Sequence, residues 1–516
     1  MRKFLLVSAG FVLGLILVVT AMLAMPLSSI PNLGIHEDLI ISGVNIVDVE
    51  TGALAGPSDV VVMQGRISAI SPAGERSFAD TLRRIDGRGH FLMPGLWDMH
   101  THSTKFAPQT YHPLLIASGV TGVREMWGCL SEPDSFVACD HDRARWDEAR
   151  ERGDTLAPRF VLSSSFQVNG GNEVPPGFPD FFKARDAAEA KRLVTFYATR
   201  DTDFLKTYSE LPRQAYLRLA AAAREQGLYL AGHRPFAVSL ADMLKAGQRS
   251  VEHPRLFLLE CFKDADVFRA SPDPLADYDH HFRERLVNEQ DHTLCAALMQ
   301  RMADSDTWWV PTLQVLRMSA LAGDAGFRSA AELSSIPWLI REGMWRADAD
   351  RAAARSREHG AHVYAGLYQL AAEHLRQAQA AGIQLMVGTD AGDTYVFPGL
   401  SVHQELEEWV RAGLSPAFAL QAATLAPARF SGMADSLGSV AVGKQADLLM
   451  LSKNPLIDIR HTRTIQSVFI GGRMLRRHEL DELRAFAQAQ ANGFRLNLKM
   501  LWAALNSPIM RVQLAD

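Results

Sequence analysis

The sequence predicts an α/β protein built on a parallel barrel of strand and helix units, and three observations carry that prediction. Six residues with metal-ligand chemistry stand in order at the ends of short apolar runs: His100, His102, Lys206, His233, His253 and Asp390. From about 92 to 436, apolar strand-like runs alternate with amphipathic helical stretches, the pattern of βα units. Strand-and-turn text flanks that region on both sides, at 38–91 and again at 437–475, which predicts one small β domain built from both chain ends beside the barrel. A chain of 516 residues exceeds an average domain of about 100 to 200 residues, although a barrel with insertions fills most of that length.

The elements follow in order. After Met1-Arg2-Lys3, the stretch Phe4 to Met25 carries no charge, close to the roughly 20 apolar residues that span a bilayer. It predicts a membrane anchor or a signal peptide within 1–30. Arg2 and Lys3 favour the cytoplasmic side, so the remainder is expected to be exported, periplasmic or extracellular. A cut at Ala24 would place Met22 at the −3 position, a poor fit to a small-residue signal, and anchoring and cleavage both stay open. LIISGVNIVDVETG, SDVVVMQGRISAISP and RRIDGRGHFLMPG then read as short strands with turns.

Barrel strands are expected at 93–102, 122–127, 159–164, 203–208, 228–233, 250–253, 308–313 and 384–390. Helices fill most gaps, among them ARDAAEAKRLVTFYATR, PRQAYLRLAAAAREQG, LADMLKAG and VHQELEEWVRAGLSPAFALQAAT. Two connections, 254–307 and roughly 319–382, are too long to be bare loops, since connections beyond about 12 to 15 residues carry function or secondary structure of their own. Alanine-rich, charged periodicity in the second predicts long helices and offers an oligomer contact. GSVAVGKQADLLMLS and QSVFIGGRML return to the β idiom, and 476–516 reads as a helical tail.

Composition narrows the function. With 47% hydrophobic and 22% charged residues the chain is ordinary globular protein, and its net charge of −5 contains no basic run, which argues against a nucleic-acid partner. Cys129, Cys139, Cys261 and Cys295 form no CxxC pair. In an oxidising compartment Cys129 and Cys139 could bridge the excursion CLSEPDSFVAC; four reduced thiols are the other reading.

The ligand set carries the chemistry. In FLMPGLWDMHTH a strand's period of two puts His100 and His102 on one face, able to reach one ion together. DFLKTYS, LYLAGH, QRSVEH and IQLMVGTD each stop at a further candidate ligand. Taken singly, each residue has a plainer reading: a chance HxH, a core histidine, an edge lysine, or Asp390 as a helix N-cap. Six of them at strand ends in barrel order point together to a metal centre on the C-terminal rim.

MPGLWDMHTH, DFLKTY, AGH, SVEHP, GTDAG and LGSVAVGKQADLLMLSKNPLIDI resemble the amidohydrolase superfamily, particularly its imidazolonepropionase-like and Xaa-Pro dipeptidase-like branch, over about 38–475. The resemblance implies a distorted TIM barrel (92–436), a flanking β-sandwich (38–91 plus 437–475), and two divalent ions, with zinc expected. It assigns His100, His102 and Asp390 to one ion, His233 and His253 to the other, and a carboxylated Lys206 as the bridge. Such a pair brings a shared water toward neutral ionisation and polarises a carbonyl. Asp390 would carry the proton from that water to the leaving amine.

Tyr208 shares the inward face of Lys206 and could donate to a tetrahedral oxyanion; packing on a loop is the other reading. Arg234 and Arg255, each one or two residues past a ligand, could clamp a substrate carboxylate or form ordinary ion pairs. His403 in GLSVHQEL resembles the family's LHxEL text and would face the site, or else stand in solvent. The chain departs from the family's VRDMGG with VREMWG, which puts Glu125 and Trp127 near the pocket, and from the family's GGH with Asn172. These changes bear on a dipeptide substrate and leave the ligands untouched.

The expected function is hydrolysis of a C–N amide bond in a peptide or N-acyl amino acid. A lactone or phosphotriester hydrolase on the same centre, and an inactive binding protein, are the competing expectations. A mononuclear deaminase fits less well, because such sites generally lack the bridging lysine.

Overall fold

The computed structural model describes residues 2–78, 82–130, 133–170, 180–200 and 202–513. Asn172, one of the departures noted above, lies outside them. The chain opens with helix α1 (Arg2–Ala24), whose side chains are described from Gly10. Across the described residues no helix is long and apolar enough to cross a membrane.

Five strands follow: β1 (Leu39–Asp48), β2 (Ala53–Met63), β3 (Arg66–Pro72), β4 (Arg83–Asp86) and β5 (Phe91–Pro94). The central region holds β6 (Leu96–Thr101), β7 (Val120–Glu125), β8 (Arg159–Ser163), β9 (Phe204–Thr207), β10 (Tyr229–Gly232), β11 (Ser250–Glu252) and β12 (Trp308–Val310). The chain returns to strands at β13 (Leu448–Leu451), β14 (Ile465–Ile470) and β15 (Arg473–Arg476). The flanking strands make one eight-stranded sheet in the order β15-β14-β13-β5-β1-β2-β3, with β4 paired to β1. Strands from before and after the central region thus share one sheet. The β14–β15 hairpin turns on Gly471 and Gly472, both at positive φ, the backbone a tight two-residue hairpin requires.

The run LLML of β13 explains how this sheet is seated. Leu449 and Leu451 join the large core cluster of the barrel, whereas Leu448 and Met450 join a smaller core with Val60, Val62 and Phe469. A strand places alternate residues on opposite faces, so an unbroken apolar run is what a strand covered on both sides needs.

In the central region β6, β7 and β8 form one parallel sheet and β9 to β12 another. The two are bonded to each other at both margins. Ser165 N–H donates to Phe204 O at 2.9 Å and Val168 N–H to Lys206 O at 2.7 Å. On the other margin, residues 384–390 bond to β12 through Trp309 N–H and Gln384 O (2.9 Å), and to β6 through Met99 N–H and Val387 O (3.0 Å). The eight expected runs thus stand in TIM-barrel-like order, the last too irregular to count as a strand.

The helices obey local chemistry. Asp186 accepts from Ala188 N–H and Glu189 N–H at the start of the helix Ala187–Tyr197, an N-cap worth about 1 kcal/mol. The expected single helix near 402–424 is two, Leu400–Arg411 and Pro416–Ala422, because Ser415 caps and Pro416 opens a new one. The long connection 319–382 carries the helices Arg346–His359 and Ala361–Ala381, as its periodicity predicts. The tail is helical too, with Arg477–Asn492, Phe494–Asn506 and Pro508–Gln513. Cys129 and Cys139 are joined in a disulfide, and Cys261 and Cys295 form a second that the sequence analysis left as free thiols.

Candidate metal centre

The site is built where strands end. His100 closes β6 and His102 follows it, and their rings stack 5.3 Å apart. The ring of His253, just past β11, lies 4.9 Å from His100, and the ring of His233, just past β10, lies 4.7 Å from His253. Asp390 ends the last barrel run. Its Oδ1 is 3.0 Å from His102 Nε2 and 3.3 Å from His100 Nε2, and its Oδ2 is 3.8 Å from His253 Nδ1. Lys206 on β9 is buried and lines the same cavity as His102 and Asp390. All six expected ligands therefore converge on one place.

The polar atoms there fit a divalent cation. Ligand atoms of His100, His253 and Asp390 lie within 4.8 Å of one another. Nε2 of His100 and Nε2 of His102 are buried without a hydrogen-bond partner, and a buried polar atom left so costs about 1 to 3 kcal/mol. The other nitrogens are fixed from outside: His100 Nδ1 is 3.2 Å from Glu252 Oε2, His233 Nδ1 is 2.8 Å from Ser209 Oγ, and His253 Nδ1 is 2.8 Å from Thr312 Oγ1. Partners of this kind orient ligating imidazoles and select their tautomer.

Electrostatics agree with the geometry. Burial lowers the pKa of His100 and His233, and takes His253 down to about 3, which favours the neutral form a metal ligand needs. Burial also lowers Lys206, against the pull of Asp390, Glu252 and Glu125. For Asp390 burial opposes ionisation, but His100 and His102 outweigh it and hold the carboxyl well below the usual range. Glu252 behaves alike: burial is overcome by Arg124, whose Nη2 donates at 2.8 Å, and by His100, and the carboxyl falls to about 2.

Two of the expected ligands also carry strained backbone. His253 and Asp390 adopt φ of +71° and +70°, a region that non-glycine residues rarely occupy and that gathers at functional sites. Asp98 braces both sides of this turn. Its Oδ1 accepts from His100 N–H (3.2 Å) and Thr389 N–H (2.9 Å), and its Oδ2 from Thr389 Oγ1 (2.6 Å). Asp98, Glu252, Ser209 and Thr312 were not singled out in the sequence. Glu252 carried the one available signal, since it directly precedes His253.

Three cavities border the expected ligands, the smallest of them, of about 20 Å³, lined by His233, Arg234, His253 and Arg255. Of the larger two, one, of about 270 Å³, is walled by Trp127, Phe136, Tyr208, Ile340 and Met344. The other, of about 190 Å³, is walled by His233, His253, Arg255, Tyr278 and Leu316. Tyr208, Asp390 and Asp393 border both. The Tyr208 ring stacks on His233 at 4.1 Å. Glu125 accepts from Ser103 N–H at 3.1 Å and Trp127 N–H at 3.0 Å, and Trp127 packs 5.7 Å from the His102 ring, so the VREMWG departure stands beside this site.

The remaining expected substrate residues divide. Arg255 lies in the second of the larger cavities, 3.4 Å from Ser209 Oγ, with its guanidinium over the rings of Phe236 and Tyr278. Arg234 does not join it. Its guanidinium is buried and committed to Pro235 O (2.9 Å), Val238 O and Glu260. His403 corrects the expectation in both its forms, since it neither faces the ligands nor stands in solvent. It is buried, with Nδ1 2.9 Å from Thr462 Oγ1 and Nε2 2.9 Å from Ser118 O, tying the helix Leu400–Arg411 to its neighbours.

Residues 348–475, which include Asp390, match the amidohydrolase family model. Adenine deaminase 2 of Agrobacterium fabrum is 36% identical over 143 residues, 26% of this chain and 22% of that protein; the match thus spans about a fifth of its curated relative. A bottromycin amidohydrolase structure superposes with a TM-score of 0.65 at 22% identity, covering 91% of this chain and 92% of the other. A Xaa-Pro dipeptidase with bound methionine does so with a TM-score of 0.60 at 19% identity, covering 85% and 100%. The solved structures share the fold across nearly the whole chain. The family match takes in GTDAG and LGSVAVGKQADLLMLSKNPLIDI, and the other motifs lie before it.

Proposed function

We propose that this chain is a metal-dependent hydrolase of C–N amide bonds acting on peptides or N-acyl amino acids. The observation that carries the reading is the meeting of two hydrogen-bond-free imidazole nitrogens, from His100 and His102, on one carboxylate oxygen of Asp390. His100, His102 and Asp390 would hold one divalent ion, expected to be zinc, and His233 and His253 a second, with carboxylated Lys206 between them. An amine alone is a poor partner for two cations, whereas its carbamate is an anionic oxygen ligand. When bound, the ions supply a water that ionises near neutral pH and a polarised substrate carbonyl.

The chain's own residues do the rest. Asp390 takes the proton of the attacking water and delivers it to the departing nitrogen, so amide and water leave as acid and amine. Tyr208 borders both larger cavities and donates its hydroxyl proton toward the carbonyl oxygen as charge gathers there. Arg255, half of the expected clamp, pairs with a substrate carboxylate. Trp127, Phe136, Ile340 and Met344 cover the apolar part on the other side and exclude water. The uncharged segment after Arg2 and Lys3, together with two disulfides, supports placing this catalysis outside the cytoplasm.

Metal analysis of the purified protein, followed by turnover of dipeptide, N-acyl amino acid and lactone libraries, tests the reading. Amide cleavage with bound divalent metal is expected. Lactone turnover without amide turnover would transfer the centre to ester-type chemistry, and a metal content near zero would favour a binding protein.

A further inference from the structure

We propose that the outer face of the helix Phe494–Asn506 rests on a lipid bilayer, as a second membrane contact beside α1. One side of this helix, with Leu496, Met500, Ala503 and Ala504, is buried in the main core, which fixes how the helix is turned. The opposite side is apolar and open: Phe494 is 60% exposed, Leu501 41%, Trp502 57% and Leu505 54%. Residues at these spacings form one stripe along a helix. An exposed apolar patch of this kind marks a contact surface.

Three features favour a bilayer as its occupant. First, α1 is joined to this helix by a hydrogen bond from Lys499 Nζ to Leu23 O at 2.6 Å, and Phe11, Leu13, Ile16 and Leu17 of α1 are exposed as well. An apolar helix open around its circumference cannot be covered by one facing protein surface, whereas lipid covers every side. Second, the segment Phe494–Asn506 contains no acidic residue, and its only charges are Arg495 and Lys499, the sign that anionic headgroups attract. Third, Trp502 stands mid-stripe, and tryptophan is enriched at membrane interfaces. The inference rests on reading 1–30 as a retained anchor, and it is independent of the catalytic reading.

The test uses the full chain carrying Leu505→Cys, labelled with an environment-sensitive dye and mixed with vesicles of phosphatidylcholine and phosphatidylglycerol. Val267→Cys, on an exposed apolar position of the helix Ala265–Arg269, serves as the second site. The expected result is a blue shift of the dye at 505 and loss of its emission to nitroxide-labelled headgroups, with the dye at 267 unchanged. A dye at 505 that neither shifts nor is quenched, while the chain floats with the vesicles through α1, overturns the proposal. So does a shift already present without vesicles and accompanied by 505-to-505 crosslinks between copies, which would assign the stripe to a second copy of the chain.

Discussion

Glu252 shows how much of this centre depends on side chains that touch no ion. Its carboxylate is held by Arg124 and Ser250 and faces His100 Nδ1 at 3.2 Å. Glu252→Gln offers one oxygen and one N–H group where two acceptor oxygens stood, so His100 loses its orientation. Metal affinity, measured by chelator competition, should fall about 10- to 100-fold, with the fold preserved by circular dichroism. Lys206→Ala removes the proposed bridge. Turnover should fall to near background and return in part with added short carboxylic acids; near-normal turnover without them would count against carboxylation. The convergence of the six expected ligands was legible because a barrel gathers residues at strand ends, where an apolar run stops. Their supports were not, because Thr312 and Ser209 gain meaning only from the ring each faces, 59 and 24 residues away. His403 misled for the same reason: a motif gives a helix position, not the wall toward which that position turns.

At the scale of elements, close approach explains a glycine. Gly388 lies on the last barrel run, where an added Cβ would stand 2.5 Å from Val310 Cγ1 and 3.0 Å from His100 Cβ. Valine is stiff at χ1 and His100 is held by Glu252 at Nδ1 and by Asp98 at its N–H, so neither yields cheaply. Gly388→Ala should cost about 1 to 3 kcal/mol and lower bound metal together with the thermal midpoint. The disulfide between Cys129 and Cys139 holds the loop that brings Phe136 to the cavity lined by His102, Lys206 and Asp390. Closing so short a loop contributes about 3 kcal/mol. Cys129→Ser should lower the urea midpoint and raise KM more than it changes kcat, since the cavity wall loosens while the ligands stay. Elements with a clear period were legible, and breaks set by one capping residue were not: Ser415 and Pro416 divide what looked like a single amphipathic helix.

For the whole molecule, two buried histidines far from the ligand cluster predict a limit on acid stability. His112 packs against Trp146 and Phe160, and His374 beside Phe257. Burial lowers both to about 3 from the ordinary 6.5. Both rings stay neutral in the fold while the unfolded chain takes up protons below pH 6.5, so stability is full above that value and is lost as the pH falls toward 3. The slope is about 1.4 kcal/mol per pH unit for each ring. Denaturation across this range should show it, and His112→Phe should flatten it by one ring's share. Chelation is a second whole-molecule test. Ion bound only by the folded state stabilises by about 4 kcal/mol at a thousandfold excess over its dissociation constant, so stripping it should lower the unfolding midpoint, and zinc should restore it.

The pairing of β13 with β5 has a consequence for the order of events during synthesis. Residues 91–94 bond to residues 448–451, and only Gly95 separates them from the strand that presents His100. Until the ribosome has made residues 448–451, His100 and His102 exist but the strand that pairs with β5 does not. Loading of metal at the candidate centre should therefore wait for residues 448–451, and a nascent chain stalled before residue 448 should emerge from the ribosome without it.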